Sequence, residues 1–192
     1  MGKSEVEELG LPSGGAAILQ QARSLALLGS VVGLLGTLLP WWSLRWTWEG
    51  GMFERSTFLY SNTLTGDLSG LGVAGNIGLS IPAYAFANFS LVLVILGFAA
   101  GVYGVVGDAR RTRAIRALST LFFLLALVVF VIGLSSVLSD EGYRIFSSRA
   151  LASSGSHITT GLALGFYFVV AAVLALGFSF LLGRRSVDRR NG

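Results

Sequence analysis

The residues able to do chemistry are few, and their scarcity is informative. His157 is the only histidine and cysteine is absent. A haem pair, a multi-histidine copper site, a zinc triad, a thiolate metal site and a cysteine nucleophile therefore cannot be assembled from this chain. Asp140 and Glu141 share a loop with His157 and could hold a metal with it only if that loop happened to fold suitably; otherwise His157 is a solvated loop residue. Asp67, Asp140 and Glu141 have no supporting motif as an acid–base carboxylate pair. No serine sits in a nucleophile-elbow pattern. The expectation is a chain without enzymatic activity, cofactor or metal.

Two other residue patterns carry possible function. Arg110, Arg113 and Arg116 recur every third residue, the spacing of a voltage-sensor helix. The run stops where the apolar stretch begins, and no acidic residue lies in the other apolar runs to receive moving charge. The pattern reads instead as a positive-inside anchor with Arg116 snorkelling to the interface. Arg184, Arg185, Arg189 and Arg190, with Arg111, add attraction to anionic lipid headgroups, about 1 kcal/mol per residue near the surface. The second pattern is aromatic. Leu44, Trp46 and Trp48 alternate with Arg45, Thr47 and Glu49, the period of a half-buried strand. Gly50-Gly51 then supplies a hairpin turn, and Phe53 to Tyr60 a second strand. This turn sets Trp48 opposite Phe53 and Trp46 opposite Arg55, a cation–π pair. Trp46, Trp48, Phe53, Arg55, Phe58 and Tyr60 are the candidate partner-binding residues; the other reading makes the aromatics a small core or an interfacial anchor.

The elements that position these residues follow from composition. Of 192 residues, 53% are hydrophobic and 12% charged, where a soluble domain is about one quarter charged. An ordinary water-soluble globule is excluded. Four apolar runs are long enough to cross about 30 Å of hydrocarbon: 25–42, 83–106, 117–138 and 158–182. The chain then reads as one membrane domain, with an inner tail (1–24), a large outer loop (43–82), a basic inner loop (107–116), a second outer loop (139–157) and a basic inner tail (183–192). Lys3, Arg23, the four loop arginines and the four tail arginines fall on one side; Arg45, Arg55, Arg144 and Arg149 fall on the other. By the positive-inside rule both termini are cytoplasmic. Trp41, Trp42 and Tyr84 are then expected in the outer aromatic belt.

Within the spans the positive signal is packing. Gly29, Gly33 and Gly36 share one face of the first helix, Gly97, Gly101 and Gly104 one face of the second, and Gly161 and Gly165 begin such a face on the fourth. Small residues at this spacing let helices approach closely in lipid. The third span, Leu121 to Val131, has little of this and is expected to face lipid more. Asn88 is expected as interhelical glue. In the outer loops, the glycine-rich stretch from Asn62 to Pro82 suits close packing or short strands and fits no phosphate-binding fingerprint. Tyr143 to Phe146 is a short strand-like piece that could join the hairpin.

Four spans, a long first outer loop opening on Pro40-Trp41-Trp42-Ser43-Leu44, alternating aromatics after it and a short second outer loop resemble the claudin and peripheral-myelin-protein tetraspan architecture. The resemblance implies a sheet built mainly from the first loop with a strand from the second, and a role in cell contact, paracellular barriers or as an accessory subunit. Trp42 stands where that family has its first-loop tryptophan. The following Gly-Leu-Trp and the paired cysteines are missing, so no barrier, pore or adhesion residues carry over. The fold expected is therefore a membrane all-α four-helix bundle with a small external β-sheet cap. The function expected is that of a non-enzymatic, multi-pass cell-membrane protein: an accessory or assembly subunit, or a self-associating tetraspan acting through its outer loop. Its partners are membrane lipids and another membrane protein or further copies of the chain, and not nucleic acid. A small oligomeric channel or transporter is the alternative.

Overall fold

The computed structural model describes residues 14–67, 76–106, 109–140, 142, 144–151 and 155–191. Helix α1 (Gly14–Leu35) runs into a 3-10 turn (Gly36–Leu38) and then four strands: β1 (Trp42–Trp48), β2 (Gly51–Thr57), β3 (Ser61–Asp67) and β4 (Asn76–Pro82). Helices α2 (Ala85–Val106) and α3 (Ala109–Asp140) follow, then β5 (Ser147–Leu151), β6 (Ser156–Leu162) and α4 (Leu164–Asn191). Four stretches of these helices, Ala17–Leu38, Ala85–Val105, Ala114–Asp140 and Leu164–Gly183, are long and apolar enough to cross a membrane.

Large apolar side chains cover the outside of the helices, while the interior admits small polar ones among its apolar residues. Leu28, Val92, Ile95, Leu121, Ile132, Leu174 and Phe178 point outward, whereas Ser30, Ser90, Ser119 and Ser179 are fully buried. In water so much exposed apolar surface would drive association; against acyl chains it costs nothing. The buried hydroxyls are spent on carbonyls. Ser119 Oγ donates to Gly97 O at 2.6 Å, and Ser179 Oγ to Ala22 O at 2.6 Å. Such bonds join α3 to α2 and α4 to α1, each contributing roughly 0.6 kcal/mol on average.

Glycine and aromatic residues fit each other across the bundle. The Phe123 ring of α3 fills the space beside Gly33 of α1 and lies 3.1 Å from where a Cβ at Gly97 of α2 would stand. A Cβ at Gly29 would lie 3.0 Å from Ala175 Cβ, and one at Gly36 would lie 2.9 Å from Gly165 O. Helix α3 is therefore not the lipid-facing member of the set. Phe123, Ala126, Phe130, Leu134 and Leu138 form a buried stripe, because the glycines of α1 and α2 leave grooves that only large side chains fill.

All six strands join one antiparallel sheet, in the order β4-β3-β2-β1-β6-β5. This is more than a small cap on an all-α fold, and it takes residues from both ends of the expected spans. The first span does not reach Trp42: α1 ends at Leu35, Pro40 lacks the N–H to continue a helix, and Trp42 begins β1. Ile158 to Leu162 is not helix either. Its β-branched Ile158-Thr159-Thr160 alternates in burial and pairs along β1, with Trp42 opposite Leu162 and Trp46 opposite Ile158. Gly161 thus sits in a strand, with nothing near it to pack against. The second outer segment contributes two strands, and neither begins where expected: Ile145 and Phe146 form a bend, β5 starts at Ser147, and Tyr143 lies outside the described residues.

Sheet and bundle meet at Trp41 and Trp42, which are 0% and 1% exposed. They form the junction's core and not an aromatic belt. The Trp41 ring stands edge-on to Phe130 at 4.9 Å and to Phe166 at 5.9 Å. Its indole N–H donates to Gly36 O at 2.9 Å, a carbonyl that also accepts from Leu39 N at 3.4 Å where the 3-10 turn ends. The backbone on either side is tied down as well: Trp41 N donates to Thr57 O, Ala163 N to Trp41 O and Gly165 N to Pro40 O, all within 2.9 Å. A Cβ at Gly165 would lie 2.6 Å from both Gly36 O and Leu39 O, so this crossing requires glycine.

Candidate functional site

Strand alternation divides the sheet into an apolar and a polar face. Trp42, Leu44, Trp46 and Trp48 share one face with Phe53, Arg55 and Thr57 of β2 and with Ile158, Thr160 and Leu162 of β6. The other face carries Ser43, Arg45 and Thr47 beside Met52, Glu54, Ser56, His157 and Thr159. The near half of the apolar face, at Trp42, Leu44 and Thr57, is buried against the end of the bundle. The far half is less closed: Phe53 and Ile158 pack on the buried core, but the end of β1 is open. Trp46 lies four residues beyond Trp42, about 13 Å at 3.3 Å per strand residue, and remains 39% exposed.

The register that builds this far half differs from the one expected. Glu49-Gly50 is the turn, with Gly50 at φ 91° and Trp48 opposite Gly51. Trp46 consequently faces Phe53, and Leu44 faces Arg55. The slip is by two residues, so every side chain keeps its face. The Trp46 and Trp48 rings lie 5.4 Å apart, tilted by 60°. With Phe53 and Ile158, both half-buried, they form a contiguous aromatic and aliphatic patch. The Trp48 indole N–H is shielded and has no acceptor.

The remaining candidates do not join this patch. Arg55 stands over the Tyr84 ring at 5.5 Å, not over Trp46, because the register sets it one pair closer to the bundle, beside the start of α2. Phe58 and Tyr60, with rings 5.5 Å apart, lie at the opposite end of β2. There Phe58 N donates to Ser61 O at 2.8 Å and closes the turn around buried Leu59. The six residues therefore separate into a distal patch of Trp46, Trp48 and Phe53, a middle Arg55 and a bundle-proximal pair.

The polar face is bound together by ordinary sheet chemistry. Arg45 Nη2 and Glu54 Oε2 pair at 3.1 Å, an exposed ion pair worth about 0 to 1 kcal/mol. His157 is exposed on β6, with Nε2 3.1 Å from Ser148 Oγ. No group of three metal-ligating side chains occurs among the described residues.

Apart from Gly161, the glycine candidates are occupied from within the chain. Gly29, Gly33 and Gly36 lie against α4 and Phe123, Gly97 against Phe123, Gly101 against Ser30 and Ser119, and Gly104 against the Arg116 stem. Asn88 is exposed on α2 and does not bridge helices. The basic candidates fall on the bundle end away from the sheet. Arg110, Arg111 and Arg113 are on the first turns of α3, and Arg184, Arg185, Arg189 and Arg190 on the last turns of α4; their side chains lie outside the described residues. Arg116 is the exception, since it does not snorkel: it is 3% exposed, its stem lodged against Gly104. Sequence reasoning missed the structural weight of Trp41, although the Trp doublet directly after Pro40 was its visible signal.

No protein-family model matches the chain and no curated protein matches it, so its affinity is stated by architecture: four membrane-length helices, compatible with a tetraspan, carrying a six-stranded antiparallel sheet.

Proposed function

We propose that the chain is a non-enzymatic multi-pass protein of the cell membrane, with both termini cytoplasmic, that binds another membrane protein or further copies of itself through the distal apolar face of its sheet. In this reading it is an accessory or assembly subunit, or a self-associating structural tetraspan. The observation that carries the reading is the exposed aromatic end of the apolar sheet face. Trp46 and Trp48 continue the apolar face towards the far end of β1, beside Phe53 and Ile158, which pack on the buried core, and Trp46 stays 39% exposed. Tryptophan in a flat apolar patch ringed by polar strands is the composition of an interface hot spot. Its distance along the strand from the buried Trp42 also sets it apart from the lipid boundary, which favours a protein occupant over an interfacial anchor.

Extraction from native membranes in mild detergent, followed by size analysis and crosslinking, tests the proposal. A species larger than one chain is expected, and Trp46→Asp should reduce it to the monomer without unfolding the bundle. A strictly monomeric wild-type chain with no crosslinked neighbour would falsify the reading.

A further inference from the structure

At the C-terminal end of α3 a groove of about 410 Å³ opens between the last turns of the helix and the segment that leads into β5. Ser135, Ser139, Arg144, Ile145 and Phe146 line it. The two serines are one helical turn apart, roughly 6 Å along the axis, and both are exposed. The facing segment is held from behind. Thr160 Oγ1 of β6 donates to Arg144 O at 2.8 Å, and the Trp42 indole N–H donates to Ile145 O at 3.3 Å. Ile145 packs on the buried core. Arg144 is exposed, and Phe146 is 63% exposed. The groove thus has a fixed wall carrying a cationic and an aromatic side chain, opposite a wall carrying two hydroxyls.

The serines also end a longer stripe of α3. Leu121, Leu125, Val128 and Ile132 precede them at alternating spacings of four and three residues, which keeps all six on one helix face. Those four apolar residues are 56%, 42%, 44% and 65% exposed. The stripe lies within the membrane-length stretch Ala114–Asp140 and changes from hydrocarbon to hydroxyl over its last turns. Residues 121–132 cover roughly 17 Å at 1.5 Å per residue, against about 15 Å for one leaflet's half of the hydrocarbon core. A phospholipid has the same order along its length: acyl chain, glycerol, then a phosphodiester whose oxygens accept hydrogen bonds from hydroxyl and guanidinium donors.

We propose that Ser135, Ser139 and Arg144 bind the phosphodiester of a glycerophospholipid in the leaflet on the sheet's side of the membrane, with one acyl chain lying along the 121–132 stripe. Lipid is favoured over free phosphate because the hydroxyl wall of the groove is continuous with that apolar stripe. The site is separate from the aromatic end of the sheet, so its failure leaves the reading of that face untouched.

The test is photolabelling of the full-length protein in mild detergent, with phosphatidylglycerol and diacylglycerol probes that carry the same photoreactive acyl chain, and with adducts mapped by peptide mass spectrometry. At subsaturating probe, phosphatidylglycerol should label residues 121–132 about tenfold more than diacylglycerol, one charge-assisted hydrogen bond's share. Arg144→Gln should remove about that factor, and Ser135→Ala combined with Ser139→Ala a smaller part of it. All three side chains are exposed, so these variants should fold. Arg45→Gln, on the sheet, should leave the labelling unchanged. Equal labelling by the two probes, an Arg144→Gln variant that keeps the preference, or an Arg45→Gln variant that loses it overturns the proposal. Glycerol phosphate that displaces the label overturns the assignment of a lipid source.

Discussion

Trp41 and Trp46 stand a few residues apart in the chain and behave oppositely. Trp41 is fully enclosed, its ring edge-on to Phe130 and Phe166 and its N–H spent on Gly36 O. Trp46 leans on Trp48 and keeps 39% of its surface free. The difference comes from what lies beneath each residue. Trp41 covers the place where α1 ends and α4 begins, so it has a helix-end carbonyl to bond and rings on two helices to meet. Trp46 lies near the far end of β1, four residues beyond the buried Trp42, and its side of the face stays partly open. Aromatic content alone therefore does not mark a contact surface; the proposed one is distinguished by the exposure of Trp46.

Three substitutions sharpen this contrast, in order of declining effect on the fold. Trp41→Ala removes a fully buried ring and the shorter of two hydrogen bonds to Gly36 O, and should cost about 3 to 5 kcal/mol, read as early thermal unfolding in detergent. Gly165→Val forces a side chain into two backbone oxygens and should cost roughly 1 to 3 kcal/mol by overpacking. Loss of helix packing with an intact sheet would be its signature in hydrogen exchange. Trp46→Ala should cost about 1 kcal/mol or less, the scale of one aromatic pair, while weakening association strongly. If Trp46→Ala destabilised the chain as much as Trp41→Ala, the distinction between buried junction and free face would be lost.

Much of the architecture was legible in the sequence because burying or exposing charge is costly and leaves a plain trace. The four apolar runs marked the helices, and the Leu44, Trp46 and Trp48 alternation marked β1 and the face it presents. The boundaries were less legible, since an apolar strand continuing an apolar helix, as at Trp42 or Ile158, shows no change in hydropathy. Arg116 was misplaced for a related reason. A lone arginine at a helix end reads as surface until Gly104, distant in sequence, is found to leave room for its stem. The candidate residues group otherwise than expected, because a two-residue shift of the hairpin decides which partners meet: Arg55 with Tyr84, and Trp46 with Phe53.

The central claim is that one face of one strand end contacts a protein, and photo-crosslinking in native membranes tests it most directly. A photoreactive residue at position 46 should capture a protein partner, whereas the same residue at position 45, its immediate neighbour on the polar face, should not. Equal capture at both positions, or none at position 46 from intact membranes, contradicts the account.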